Sequence, residues 1–171
     1  MKEVLNKKIN NSGVTIVELL VYLGLSTIIL LILSELFVNI LDESVETQNY
    51  STVQTDGRYI MARLRYQINN ADSVTFPLSL GSSQNELIVV NSGNLYHYYV
   101  ADEKFYMSDD GDVSQYLISN LDNRITDVSF TRTGNSDNLR PVILIDFTVS
   151  TGVEGTAEYE SQTFIGAGGL R

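Results

Sequence analysis

Glu18 is the residue whose type and position most clearly suggest chemistry, because it lies four residues into a long apolar run. The run from Leu19 to Ser34 that follows it contains no charged residue. A carboxylate in an apolar environment is costly, and where such a group is found it usually has a partner. The chemistry expected of Glu18 is therefore pairing with a positive charge rather than catalysis.

The single histidine is the other residue that could take part in acid–base chemistry. His97 lies within Tyr96-His97-Tyr98-Tyr99. In a strand, Tyr96 and Tyr98 would face one side, and His97 and Tyr99 the other. This aromatic cluster is either a contact surface or a sheet with half-buried tyrosines that keep their hydroxyls in water, and the sheet is favoured. No nucleophile has a base beside it in the sequence, so we expect neither enzymatic activity nor a cofactor.

Metal binding has one weak candidate. Cysteine is absent, which excludes disulfides and cysteine-ligated metals, and one histidine excludes a site built from several histidines. Asp109, Asp110 and Asp112 concentrate carboxylates in a turn, and calcium binds about six to eight oxygen ligands. Their spacing does not match the D-x-D-x-D-G loop, so a plain acidic turn is the favoured interpretation.

The charge of the chain is unevenly distributed. The net charge is −10 over 171 residues, yet residues 1–13 carry three lysines and one glutamate. The remaining residues carry eight basic and twenty acidic side chains, a net charge of −12. An acidic body repels phosphate backbones and anionic lipid, so we expect no direct binding of nucleic acid.

The apolar run is the element that must position Glu18. From Val14 to Leu41 the only charged residues are Glu18 and Glu35. As a helix, Val14–Glu35 would be about 33 Å long, close to the roughly 30 Å hydrocarbon core of a bilayer. Lysines precede the run and acids follow it, so the positive-inside rule predicts a cytoplasmic N-terminus and an external remainder. A cleaved secretory signal has a shorter apolar core, and a plain signal anchor would leave Glu18 unexplained.

A basic leader, a glycine and a spaced glutamate form a motif at the start of this run. Lys7 and Lys8 precede Gly13, the apolar Val14 follows it, and Glu18 lies five residues past the glycine. The motif resembles the processing site of type IV pilins and of the pseudopilins of type II secretion. The resemblance implies that a membrane-embedded prepilin peptidase cuts after Gly13 and N-methylates Val14, although the family usually has Phe at that place.

The resemblance also implies a role for Glu18 and a set of partners. In the family this glutamate pairs with the N-terminal amine of an adjoining subunit, and the pair sets the stagger between subunits. The implied partners are the prepilin peptidase, other pilin or pseudopilin subunits, and the cytoplasmic membrane before assembly. The competing interpretation is that the Glu18 side chain only extends to the inner membrane interface.

Beyond the apolar run, the pattern predicts an amphipathic helix. Apolar or small residues recur at intervals of three and four, as on one face of a helix: Val53, Gly57, Ile60, Leu64 and Ile68. Together with the apolar run they predict one helix of about 55 residues that stops within Asn69–Asp72. Arg58, Arg63 and Arg65 lie off this stripe, where a solvated or ion-paired face is favoured over a basic binding patch.

After the helix, β-branched and aromatic residues alternate with turns. The predicted strands are Ser73–Leu80, Glu86–Asn91, Leu95–Ala101, Lys104–Ser108, Arg124–Thr133, Arg140–Ser150 and Ala157–Ile165. The glycines of Gly166–Gly169 predict a flexible end. A long N-terminal helix packed on an antiparallel β-sheet head is an α+β, pilin-like layout, and the head resembles the J-like class of minor pilins and pseudopilins.

The predicted organisation has four segments: a leader over 1–13, a transmembrane or fibre-core half of the helix over 14–41, an amphipathic half over 42–72 and a β-rich head over 73–171. We expect a type IV pilin-like structural subunit, a minor pilin or pseudopilin, that joins a pilus or secretion pseudopilus. Pilus, secretion and DNA-uptake systems share the motif. The alternative is an uncleaved, single-pass, membrane-anchored binding or receptor protein.

Overall fold

A computed structural model describes residues 15–109, 114–134, 140–156 and 158–170. Within them the chain forms one long helix, α1 (Ile16–Asn70), of 55 residues. The described strands that follow are β1 Ser73–Phe76, β2 Ser83–Gln84, β3 Leu87–Asn91, β4 Asn94–Ala101, β5 Lys104–Asp109, β6 Ser114–Leu117, β7 Arg124–Thr133, β8 Val142–Thr151 and β9 Glu160–Gly169. The predicted length and end of the helix are confirmed.

The strands form two antiparallel sheets, and the predicted α+β class is confirmed. Sheet A has the order β1-β3-β4-β5-β6, and sheet B has the order β2-β7-β8-β9. Sheet B is separate from sheet A because β7 pairs with β8 and with β2, and not with the preceding strand β6. Sequence reasoning missed β2, which lies between two predicted strands, and β6, whose residues are all exposed. Neither has the alternation of apolar and polar residues that marks a half-buried strand.

The residues up to Asp42 form a unit of their own. Every described side chain from Ile16 to Leu41 is exposed. An 18-residue window of the helix has a mean hydropathy of 2.6, and no part of that window is buried. The helix is thus long and apolar enough to cross a membrane, which is consistent with a single-pass membrane protein.

The second unit, Glu43–Arg171, contains both sheets and the helix residues that pack on them. The predicted stripe is buried, with Ile60 and Ile68 at 0% exposure. It joins one apolar core with residues of both sheets, among them Tyr98 of sheet A and Phe147 of sheet B. Because the helix and both sheets share this core, the second half of α1 is an integral part of the head.

Glycines allow α1 to approach β9 closely. A Cβ on Gly57 would lie 2.1 Å from a ring carbon of Phe164, and a Cβ on Gly168 would lie 2.9 Å from the Cβ of Ile68. The prediction of a flexible end over Gly166–Gly169 is wrong, because these residues belong to β9 and pair with β8. The glycines are needed for close contact between strand and helix rather than for mobility.

Candidate functional site

Thr15 caps the start of α1. Its side-chain oxygen Oγ1 accepts a hydrogen bond from the backbone N–H of Glu18 at 3.2 Å, and its carbonyl oxygen accepts one from the N–H of Leu19 at 3.1 Å. Thr15 is therefore the N-cap residue, and Glu18 is at the third helical position. In a capping box, a glutamate at that position would turn back to the N-cap N–H. The Glu18 carboxylate has a different partner.

That partner is Tyr22, one helical turn further on. The Tyr22 hydroxyl donates a hydrogen bond to Oε1 of Glu18, with 3.2 Å between the oxygens. Residues four apart lie on the same face of a helix, so the contact follows directly from the spacing. Sequence reasoning missed Tyr22. The signal was available, because a tyrosine lies four residues after the first of the two acids in the apolar run.

Apolar side chains flank this pair on the helix. Val17, Leu19, Val21 and Leu23 are 70%, 59%, 55% and 62% exposed. Apolar surface left in water is unfavourable by roughly 25 cal/mol per Å². A carboxylate set in such a surface, once the surface is covered by lipid or protein, is a site that attracts a positive charge.

The other predicted residues of this region are either distant or outside the described residues. Gly13 and Val14, predicted for processing, lie outside the described residues, and so does the rest of the predicted leader over 1–13. Glu35 lies 17 residues after Glu18 on the same helix, about 26 Å along its axis. The two acids of the apolar segment are therefore separate, and Glu18 with Tyr22 forms the candidate site.

The His97 cluster belongs to sheet A. Tyr98 is completely buried, while His97 and Tyr99 lie on the opposite face with ring centroids 4.8 Å apart. Nε2 of His97 is 3.2 Å from Oε2 of Glu86, a contact that orients the imidazole. The predicted alternation is confirmed, but the expectation that each tyrosine hydroxyl stays in water is wrong for Tyr98, whose hydroxyl is buried. The cluster is accounted for by sheet packing.

The acidic turn is only partly described. Asp109 ends β5 and pairs with Tyr96 of β4 and Ser114 of β6. Asp110 and Asp112 lie outside the described residues. In the part of the chain that the structure describes, no group of three or more His, Cys, Asp or Glu side chains could hold a metal ion. Calcium binding by this turn therefore stays a prediction.

Two of the arginines off the helix stripe bind neutral groups of the head. Arg63 donates a hydrogen bond to the Tyr59 hydroxyl at 3.1 Å and another to the Met107 sulfur at 3.4 Å. Arg65 donates to the carbonyl oxygen of Ala167 in β9 at 3.0 Å. The predicted solvated face is confirmed for Arg65, which is exposed, and is wrong for Arg63, which is partly buried where it contacts the Met107 sulfur. Both fasten the helix to the head.

Asp56 also fastens the helix to the head, and sequence reasoning missed it. Its side chain is 8% exposed, and Oδ2 accepts hydrogen bonds from the backbone N–H of Asn120 at 2.9 Å and from Nδ2 of Asn123 at 2.8 Å. A cavity of about 380 Å³ lies beside it. The available signal was an acid one position before Gly57 on the predicted stripe. The carboxylate is satisfied by these amides, so its role is to hold the loop before β7.

Because Tyr98 is buried, we expect the head to lose stability at alkaline pH. Burial raises the pKa of the Tyr98 hydroxyl to about 12, and the nearby Arg63 guanidinium lowers it by a smaller amount. An unfolded tyrosine has a pKa of about 10. The contribution of the buried, protonated Tyr98 hydroxyl to the free energy of unfolding is therefore complete below a pH of about 10. It is lost as pH rises through about 12, because the unfolded chain releases the proton first. Between pH 9 and 11, we expect the native chain to lose about 1 kcal/mol more unfolding free energy than Tyr98→Phe.

Urea unfolding of the full-length chain in detergent, followed by near-UV circular dichroism, measures this difference. Tyr66→Phe is the matched control, because Tyr66 is 66% exposed. It should keep the pH dependence of the native chain. An equal loss of stability in the native chain and in Tyr98→Phe would contradict the assignment to Tyr98.

Comparisons with protein-family models, curated proteins and solved structures found no match to this chain.

Proposed function

We propose that this chain is a type IV pilin-like structural subunit, either a minor pilin or a pseudopilin. The observation that carries the proposal is Glu18 at the start of a 55-residue helix whose first half is apolar and exposed and whose second half belongs to an α+β head. The basic leader and Gly13 in the sequence support the same assignment. The proposed function is assembly and not catalysis.

Processing would prepare the chain for assembly. A prepilin peptidase removes residues 1–13, and Val14 then carries a new, N-methylated amine. Until assembly, the apolar half of α1 anchors the chain in the cytoplasmic membrane, with the lysine-bearing end inside and the acidic head outside. The positive charge of the new amine then lies at the start of an apolar helix, a few residues before Glu18.

Assembly would replace lipid by protein around the apolar half of the helix. The apolar side chains of Ile16–Leu41 pack among sister helices and so stay out of water. Glu18 pairs with the N-terminal amine of an adjoining subunit. Away from water, each of these charges is costly without the other, so the pair also selects one axial stagger between subunits.

The mass of the N-terminal peptide tests the proposal. We expect the protein from its own cell membranes to begin at Val14 and to carry one added methyl group on the terminal nitrogen. An intact Met1 terminus, in cells with an active prepilin peptidase, contradicts the proposal. That outcome favours the uncleaved, membrane-anchored binding or receptor protein.

Substitutions at Gly13 test the site of cleavage. Gly13→Ala adds one methyl group and should still be partly cleaved, whereas the bulky Gly13→Leu should remain uncleaved. Gly24→Leu is the matched control, because Gly24 lies within the apolar segment with no other atom near its missing Cβ. It should be cleaved like the native chain. Normal cleavage of Gly13→Leu would place the peptidase site elsewhere.

A further inference from the structure

The hydrogen bond from Tyr22 involves only one of the two carboxylate oxygens of Glu18. The Tyr22 hydroxyl donates to Oε1 at 3.2 Å. Among the residues that the structure describes, none donates a hydrogen bond to the other oxygen, Oε2. A carboxylate has about four acceptor positions on its two oxygens. Oε2 is therefore able to accept a second donor without loss of the Tyr22 hydrogen bond.

We propose that Tyr22 is a positioning residue for Glu18. Its hydroxyl holds Oε1 and thereby fixes the orientation of the carboxylate, so that Oε2 is presented to an amine from a second subunit. The inference rests on the proposed function, because that amine is the processed N-terminus. It assigns Glu18 two simultaneous partners, a tyrosine of its own chain and an amine of another chain.

Helix geometry makes Tyr22 the donor available to Glu18 on the C-terminal side. Residues three, four and seven positions further on share a helix face with Glu18, and these are Val21, Tyr22 and Leu25. Only the tyrosine carries a hydrogen-bond donor. Before assembly, when no partner amine is present, Tyr22 is thus the side chain on the C-terminal side of this face that can donate to the carboxylate.

Fixing the carboxylate in advance also favours docking. A glutamate has several rotamers, and a free side chain loses that freedom when it binds a partner. A side chain already held by a hydrogen bond has less freedom to lose at that moment. Hydrogen bonds to an ionised acceptor are stronger than those between neutral groups. A single hydrogen bond from a tyrosine hydroxyl is therefore strong enough to orient the carboxylate in an apolar medium.

A simpler role for Tyr22 makes a different prediction. Tyrosine is enriched at membrane interfaces, where the ring anchors a helix at the level of the headgroups. In that role the ring is the essential part. Tyr22→Phe keeps the ring and removes the hydroxyl, so this variant separates the two roles. Thr27→Val is the matched control, because the Thr27 hydroxyl lies in the same segment and donates to the Leu23 carbonyl oxygen at 2.8 Å.

The hydrogen bond is tested first, without reference to assembly. The full-length chain, labelled with ¹³C at the glutamate side-chain carboxyl carbons, is placed in lipid bicelles, and Glu18→Gln identifies the Glu18 resonance. We expect Tyr22→Phe to move this resonance and Thr27→Val to leave it in place. An unmoved resonance in Tyr22→Phe overturns the inference.

The positioning role is then tested in cells by the ratio of assembled to membrane-bound protein. We expect Tyr22→Phe to lower this ratio about tenfold, with processing and membrane level unchanged, and Thr27→Val to leave it at the native value. If Glu18→Ala prevents assembly but Tyr22→Phe does not, the inference fails and the proposed function stands. If Tyr22→Phe lowers processing or membrane level instead, Tyr22 is only structural and the inference also fails. An intact Met1 terminus, with neither variant affecting assembly, overturns both.

Discussion

Glu18→Ala chains should be cleaved and methylated like native chains and yet be nearly absent from the fibre. The substitution leaves the predicted cleavage site, Gly13-Val14, unchanged. In the proposed assembly, it removes the acid that neutralises the N-terminal amine of an adjoining subunit. Removing one partner of a buried ion pair costs about 3–5 kcal/mol, because the other charge is left unpaired. We therefore expect the assembled fraction, measured by quantitative mass spectrometry of sheared fibres and of membranes, to fall about a hundredfold or more.

Two further variants define what Glu18 supplies. Glu35→Ala removes the other acid of the apolar segment and should assemble at close to the native level, since its position is about 26 Å from Glu18 along the helix. Glu18→Gln keeps a hydrogen-bond acceptor for Tyr22 but removes the charge, and it should fail like Glu18→Ala. Normal incorporation of Glu18→Ala would rule out charge pairing as the basis of assembly.

Gly57→Ala is expected to destabilise the head, although the same change usually stabilises a helix. Alanine is favoured over glycine in a helix interior by about 1 kcal/mol. Here the added Cβ would lie 2.1 Å from the ring of Phe164. That ring stacks on Phe147 with centroids 5.5 Å apart, so it must leave the stack to make room. Overpacking of this kind costs about 1–3 kcal/mol, so after the gain in helix propensity we expect a net loss of about 1 kcal/mol in unfolding free energy.

Urea unfolding of the full-length chain in detergent measures this loss. Gly24→Ala is the matched control, since no atom lies within 4 Å of the Cβ that it would add. It should leave the head unchanged. In the Phe164→Ala background the ring is gone, so Gly57→Ala should there be neutral or stabilising. An equal effect of Gly57→Ala in both backgrounds would show that Phe164 is not what excludes the side chain.

The long helix could be predicted because two different patterns meet in it without an interruption. An uncharged apolar stretch and a stripe with intervals of three and four are both helical signals, and no proline lies between them. The stripe also identified the buried face correctly, from Val53 to Ile68. The strong strands β3, β4, β7 and β8 were predicted for a similar reason, since β-branched and aromatic residues are dense in them.

The missed features depend on contacts between residues distant in sequence. β2 is a strand only because it pairs with β7, and its two residues carry no pattern of their own. The sequence pattern of the β9 glycines predicts a flexible end, whereas their lack of a side chain is required by the helix that packs against them. At the candidate site, Glu18 could be identified from the sequence, because a carboxylate within an apolar run costs free energy. Tyr22 could be found only by projecting the sequence onto a helix.

The close contact of Gly57 with Phe164 has a consequence for the timing of synthesis. Gly57 and Phe164 are 107 positions apart in the sequence. At about 5–20 residues per second, the ribosome needs roughly 5–20 seconds to make the chain between them. During that interval the apolar half of the helix has already been made, while the buried face of the other half still lacks β9. The nascent head must therefore be kept from wrong associations until its last strand arrives, which makes late translation the period of greatest risk for misfolding.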